Sequence, residues 1–390
     1  MATTIRWGII STGKIAECFA KDMVVDPKTF VLLDSGSGLR TDQCDTFSRD
    51  VHDVVHKVAA VGSRSLESAQ SFIERALEGD KDVKGYGTYA EVYADSNVDA
   101  IYIGTPHTYH YENALCGIKA KKHILCEKPV TSNAAELRSL IAAAKENNVF
   151  FMEALWTRFQ PLALELKKIS ESGVLGNPIV VNADLSGDFD IRNIPTTHRI
   201  LDPKLGGGAI LDLGPYPLIW AIITLFEHPS NNSTKPSVTG SILKTPITGV
   251  DANTSFTLNF SQANLSAQAV LSCSINANPI GAGGNGVTIR YEKGIIRVGE
   301  PIFCPKSFEV TYLEKDQQGR NRVVKEEKIF FEYRGGGWYF QADEVARCVR
   351  DGKIESNVWT HAKSLLQMEI FDEVRRQGGY VLPPGVEKVV

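Results

Sequence analysis

Apolar runs and helical patterns alternate along the first 155 residues of this 390-residue chain. Short apolar runs at 5–10, 58–61, 100–104, 123–126 and 149–154 predict strands, and the segments 14–23, 66–77, 109–120 and 134–146 space their apolar residues as helices do. Ser65 stands where it can cap the second of these helices, and Asn133 with Glu136 has the spacing of a capping-box variant at the last. Strands and helices alternating in this way predict a doubly wound parallel sheet of the Rossmann kind, because right-handed crossovers bring each strand back beside an earlier one. Residues 35–54 break the rhythm, and their length and polarity mark them as a surface insertion.

The texture changes after Arg158. Pro161 opens a helical stretch to residue 172, and alternating segments follow at 179–185, 254–260, 267–275, 287–291, 295–298, 308–313 and 323–330. They predict a large, mostly antiparallel sheet with flanking helices, two of which (338–350 and 360–377) end at Gly352 and Gly378. The expected division is a cofactor domain over 1–155 and a substrate-binding and oligomerisation domain over 156–390. An open sheet face of that size suggests an apolar surface for a second copy to cover, hence a homodimer.

Composition narrows the function classes. With 43% hydrophobic and 23% charged residues the chain is an ordinary globular one, and a net charge of −4 supplies no basic field for nucleic acid. No stretch approaches the roughly 20 uninterrupted apolar residues of a membrane span, and the first residues lack the layout of a secretory signal. Seven cysteines without a C-x-x-C pair read as reduced thiols in a cytoplasmic protein.

Five segments carry candidate chemistry. Between the first strand and helix lies Ser11-Thr12-Gly13-Lys14-Ile15-Ala16, in which Ser11, Gly13 and Ala16 stand at the three small positions of G-x-G-x-x-G/A. Such a turn lets backbone approach a pyrophosphate at a helix N-terminus. The second strand ends in Ser63 and Arg64 without an acid, which favours the 2′-phosphate of NADP over the bare ribose of NAD. Two further strand ends, Thr105-Pro106-His107 with His110, and Glu127-Lys128-Pro129, are expected at the same sheet edge. Farther on, the glycine-rich run 206–214 contains Asp212, one helical turn before Tyr216. The histidines show no metal-binding spacing, and no metal is expected.

Glu127-Lys128-Pro129 together with the run 207–214 resembles the Gfo/Idh/MocA oxidoreductases. Residues 153–159 and 216–220 resemble its branch of dimeric dihydrodiol dehydrogenases and NADP-dependent D-xylose dehydrogenases. The resemblance implies that Lys128 lies beside the nicotinamide with His107 and His110 near by. It also implies that Tyr216 is the acid/base, that Asp212 assists, and that Trp156 and Arg158 line the substrate pocket or its rim. The activity so implied is NADP-dependent oxidation of a sugar or polyol hydroxyl, D-xylose to its lactone foremost, with Lys128 lowering the Tyr216 pKa. The alternatives are a trans-dihydrodiol dehydrogenase and a catalytically silent NADP-binding sensor.

Overall fold

In a computed structural model the described residues are 2–25, 51–262, 264–279 and 285–390. Most of the expected insertion, 35–50, lies outside them, whereas Val54 already belongs to a strand. The first half runs β1 (Thr3–Ile10), α1 (Lys14–Met23), β2 (Val54–Gly62), α2 (Leu66–Ala76), β3 (Lys84–Tyr86), α3 (Tyr89–Ala94), β4 (Ala100–Ile103), α4 (His110–Lys119), β5 (His123–Glu127), α5 (Ala134–Asn147) and β6 (Phe151–Ala154). Its six strands pair in the order β3-β2-β1-β4-β5-β6, all parallel. That order reverses between β1 and β4, where doubly wound sheets open a crevice for a ligand. Helices on both faces bury the central strands completely, so Ile9, Ile10, Ile101, Ile103, Ile124 and Leu125 are solvent-free.

The helix caps follow the residues that announced them. Ser65 accepts the Ser68 N–H at 3.2 Å, and Asn133 accepts that of Glu136 at 2.8 Å. Glu136 reaches back one residue beyond the cap, to the N–H of Ser132. Two small elements had no strong apolar period. β3 is three residues long, and α3 rests on a capping box between Thr88 and Glu91.

The second half contains α6 (Pro161–Glu171), β7 (Pro178–Ser186), α7 (Ala209–Asp212), α8 (Pro215–Ala221), β8 (Ser237–Lys244), β9 (Asp251–Gln262), β10 (Leu265–Ser274), β11 (Asn285–Tyr291), β12 (Gly294–Gly299), β13 (Ser307–Lys315), β14 (Asn321–Phe330), α9 (Tyr339–Arg350) and α10 (His361–Gln377). Its eight strands pair as β14-β13-β12-β11-β7-β10-β9-β8, antiparallel except for β7 with β10. Alternate residues, Phe256, Leu258 and Phe260 of β9 and Ala269 and Leu271 of β10, point inward. They meet α7 and α8, and Phe256 packs edge to face with Phe371 of α10. The opposite face corrects the expectation of an apolar surface: Ser255, Thr257, Asn259, Ser266, Gln268 and Ser272 make it largely hydroxyl and amide. The apolar run Pro203–Phe226, long enough to cross a membrane by composition, is 89% buried and forms core.

α9 returns to the first sheet. Trp7 Nε1 donates to His56 Nδ1 at 3.1 Å, which leaves His56 Nε2 to carry the proton toward Asp343 of α9 at 2.8 Å. Arg347 and Arg350 add ion pairs to Asp53. α9 is thereby tied to the first sheet by a buried hydrogen-bond chain and by partly exposed ion pairs.

Candidate active site

At the first βα turn Ser11 adopts a φ of 89°, a left-handed conformation that costs a non-glycine residue of the order of 1–3 kcal/mol. It occupies the place where the pattern has glycine. Its hydroxyl accepts the Gly13 N–H at 3.3 Å, and Arg75 holds the Thr12 carbonyl at 2.6 Å. Gly13 is the N-cap of α1 and offers no side-chain cap, so the first N–H groups of the helix stay available. A Cβ on Gly104 would press on Ala16, which shows how closely the helix and β4 approach. Thr12 and Ser63 join their hydroxyls at 3.2 Å, and Arg64 beside them is exposed, with no hydrogen bond or ion pair among the described residues. An uncapped helix N-terminus beside a free guanidinium fits a phosphorylated dinucleotide. Lys14, 82% exposed, and Ile15 stand at the start of the same helix.

The next two strand ends are pinned to one another. His107 Nε2 lies 2.8 Å from the Gly206 carbonyl. The ring nitrogens of His110 lie 2.8 Å from the carbonyls of Pro129 and Thr105. Burial drives the His110 pKa down to about 4, so the neutral ring donates to one of these oxygens. Both histidines are thus structural clamps that shape the loops carrying Thr105, Pro106 and Lys128.

Lys128 is the centre of the site. Its Nζ donates to the Asp212 backbone oxygen at 2.6 Å and to Oδ1 at 3.1 Å, and it stands 5.0 Å from the centre of the Tyr216 ring. Burial opposes the ammonium, but Asp212 and Tyr216 outweigh it and hold the pKa above the ordinary lysine value. Asp212 is also bound by Arg199 at 2.9 Å. Burial would raise its pKa, yet the two cations keep it far below the usual carboxylate range. Trp156 Nε1 donates to the Tyr216 hydroxyl at 3.1 Å. Glu127, buried behind the lysine and bonded by Tyr102 at 2.7 Å, is pushed up to about 7 by burial.

Lys128 lowers the Tyr216 pKa, but burial raises it by more than Lys128 and the Trp156 N–H lower it, so the phenol is neutral near pH 7 in the free protein. Asp212 and Tyr216 do not share one helix. α7 ends at Asp212, and α8 starts at Pro215, yet both side chains reach Lys128. Arg158 also departs from expectation. Its guanidinium is turned to Glu227 at 2.9 Å, where Lys167 and Lys363 converge, rather than to the Lys128–Tyr216 pair.

Four contributors gave no local signal. Arg199 lies in an irregular loop, and Phe303 and Trp338 come from distant segments to pack with Tyr216 and Trp156. Asp251, at the start of β9, accepts the Ile210 N–H at 2.6 Å and the Thr254 hydroxyl at 2.8 Å. It explains the glycine run: Gly208 has φ 117°, and a Cβ there would strike the Asp251 carboxylate. The carboxylate anchors the helix that presents Asp212.

The comparisons with known proteins agree with this architecture. Residues 5–155 match the model of the oxidoreductase family with an NAD-binding Rossmann fold, and residues 163–297 match the GFO/IDH/MocA C-terminal domain. The chain is 35% identical to D-xylose 1-dehydrogenase (NADP(+)) of Hypocrea jecorina over 97% of its own length and 93% of that protein's. It is 32% identical to trans-1,2-dihydrobenzene-1,2-diol dehydrogenase of Danio rerio, over 97% and 98%. The fold is shared with aldose-aldose oxidoreductase of Caulobacter crescentus, at a TM-score of 0.72 and 18% identity over 96% and 98% of the two chains. The protein belongs to the Gfo/Idh/MocA family of oxidoreductases.

Proposed function

We propose that this protein is an NADP-dependent dehydrogenase that oxidises a sugar or polyol hydroxyl, with D-xylose as the leading substrate and the lactone as product. The observation that carries the reading is the buried Lys128–Asp212–Tyr216 cluster at the mouth of a dinucleotide-type crevice. The likeness to D-xylose 1-dehydrogenase (NADP(+)) supports the substrate. The residues that would hold NADP are Ser11, Thr12, Gly13, Lys14 and Ile15 at the pyrophosphate, Ser63 and Arg64 at the 2′-phosphate, and Thr105, Pro106 and Lys128 toward the nicotinamide, on loops that buried His107, His110 and Glu127 support. When bound, the nicotinamide supplies the hydride acceptor.

The chain's own groups handle the proton. Ionised Tyr216 Oη takes it from the substrate hydroxyl and becomes the neutral phenol, and the Lys128 ammonium with the Trp156 N–H stabilises the phenolate that acts as base. Asp212 and its partner Arg199 fix the lysine in place. Because the resting phenol is held above its ordinary pKa, the fraction ready to accept a proton grows tenfold per pH unit. We expect log kcat/KM for oxidation to rise with a slope of about 1 between roughly pH 7 and 9. A flat profile would remove Tyr216 from the role of base.

Arg64→Ala should weaken NADPH about ten- to hundredfold and NADH by less than about twofold, as measured by titration calorimetry, since a charge-assisted bond to phosphate is lost. A panel assay at the reduced-nicotinamide band with D-xylose, D-glucose, myo-inositol and a trans-dihydrodiol tests the substrate. Turnover of a pentose with NADP supports the proposal, and turnover of the dihydrodiol alone replaces it. That second reading is favoured by one observation, the aromatic wall of Trp156, Phe303 and Trp338, which suits an unsaturated ring.

A further inference from the structure

Asp22 lies in the last turn of α1, at the end away from the cofactor loop. Its Oδ2 accepts three consecutive backbone N–H groups of a distant segment: Gly336 at 2.9 Å, Gly337 at 2.9 Å and Trp338 at 3.2 Å. The segment is shaped for this contact. Gly335 has φ 66°, and a Cβ there would run into the Asp22 carboxylate. On Gly336 a Cβ would run into the Trp338 ring, so glycine lets the indole fold back over the chain. The Gly336 carbonyl in turn accepts the Cys304 thiol at 3.3 Å, and Tyr333 donates to Gln160 at 3.0 Å, directly after the 156–159 turn.

The indole so placed stacks on Trp156 with ring centres 4.2 Å apart and planes within 4°. Trp156 is the residue that donates to Tyr216. One carboxylate on a cofactor-domain helix is therefore linked, through a four-residue loop, to the ring that backs the proposed base. Three charge-assisted bonds converging on one oxygen are more than a surface helix end requires.

We infer that Asp22 is a positioning residue for the substrate side of the site: it holds the 336–338 backbone so that Trp338 buttresses Trp156 and, through it, Tyr216. The activity arm of its test rests on the dehydrogenase reading above, whereas the spectroscopic arm does not.

Two indoles stacked face to face couple excitonically and give a paired positive and negative band in far-ultraviolet circular dichroism. Trp338→Phe in the full-length protein identifies that couplet against the other tryptophans. Asp22→Ala should abolish it as Trp338→Phe does, and should lower kcat/KM for the substrate about ten- to hundredfold, mainly through kcat, because a displacement of about 1 Å is costly at a reacting centre. NADPH affinity should stay within about twofold. Asp22→Asn, whose amide oxygen still accepts N–H groups, should restore most of the couplet and of kcat/KM. Should Asp22→Ala fail to fold, Gly335→Ala intrudes on the same carboxylate from the exposed side of the loop and carries the same expectations. A wild-type spectrum without the couplet, or a folded Asp22→Ala or Gly335→Ala that keeps both couplet and kcat, overturns the inference. A wild-type protein that shows the couplet but oxidises no sugar or diol counts against the function proposed above, and the couplet in the variants still decides the role of Asp22.

Discussion

Replacing Lys128 with methionine is expected to cut turnover about a thousandfold, within the range of roughly 10²–10⁴ for a positioned proton-transfer group. Methionine keeps the length and the apolar stem but removes the group that bridges Asp212 and the face of Tyr216. Two consequences follow together. The phenolate loses its counter-charge in a buried setting, and Asp212 keeps only Arg199, whose side chain is half exposed. NADPH titration should still saturate, because the pyrophosphate turn and Arg64 lie elsewhere. Near-normal rates would show that the proton passes through another group.

The second large effect concerns stability. Glu153 in β6 is buried, and four donors converge on its two oxygens: Val130 N–H at 3.1 Å and Gln367 Nε2 at 2.7 Å on one, Trp359 Nε1 at 3.0 Å and Ser364 Oγ at 2.7 Å on the other. Glu153→Ala should strand these donors without water, and each such loss costs about 1–3 kcal/mol. We expect the free energy of unfolding in a urea titration to fall by about 3 kcal/mol or more. Glu153→Gln keeps an acceptor for part of the set and should lose less. Equal losses in the two variants would mean that volume, not hydrogen bonding, sets the effect. Although Glu153 belongs to the motif that pointed toward the dihydrodiol and xylose dehydrogenases, its contacts tie β6 to α10 and the loop before it, and none reaches Lys128.

These residues also show what could be read in advance. Strands such as β4 and β5 are legible because a parallel strand buried on both faces is apolar throughout, and Ser65 and Asn133 reveal their helices because capping chemistry is local. β8 is not legible in the same way: every second residue is exposed at the sheet edge, and its apolar content is low. At the site, Lys128, Asp212 and Tyr216 stand in recognisable motifs. Arg199, Asp251 and Trp338 act through contacts between segments far apart in the chain, which no local spacing encodes. Arg158 shows the converse. A motif places it next to Trp156, but the turn at 156–159 sends the two side chains to different partners.

Oxidation of D-xylose deuterated at C1, with NADP, tests hydride removal at the site most directly. Deuterium should appear in the reduced nicotinamide, the product should be the lactone, and kcat should fall relative to unlabelled xylose whenever hydride transfer limits turnover. Reduced nicotinamide formed from the labelled sugar without deuterium, or transfer of hydride only from a dihydrodiol, would contradict a sugar dehydrogenase built on Tyr216 and Lys128.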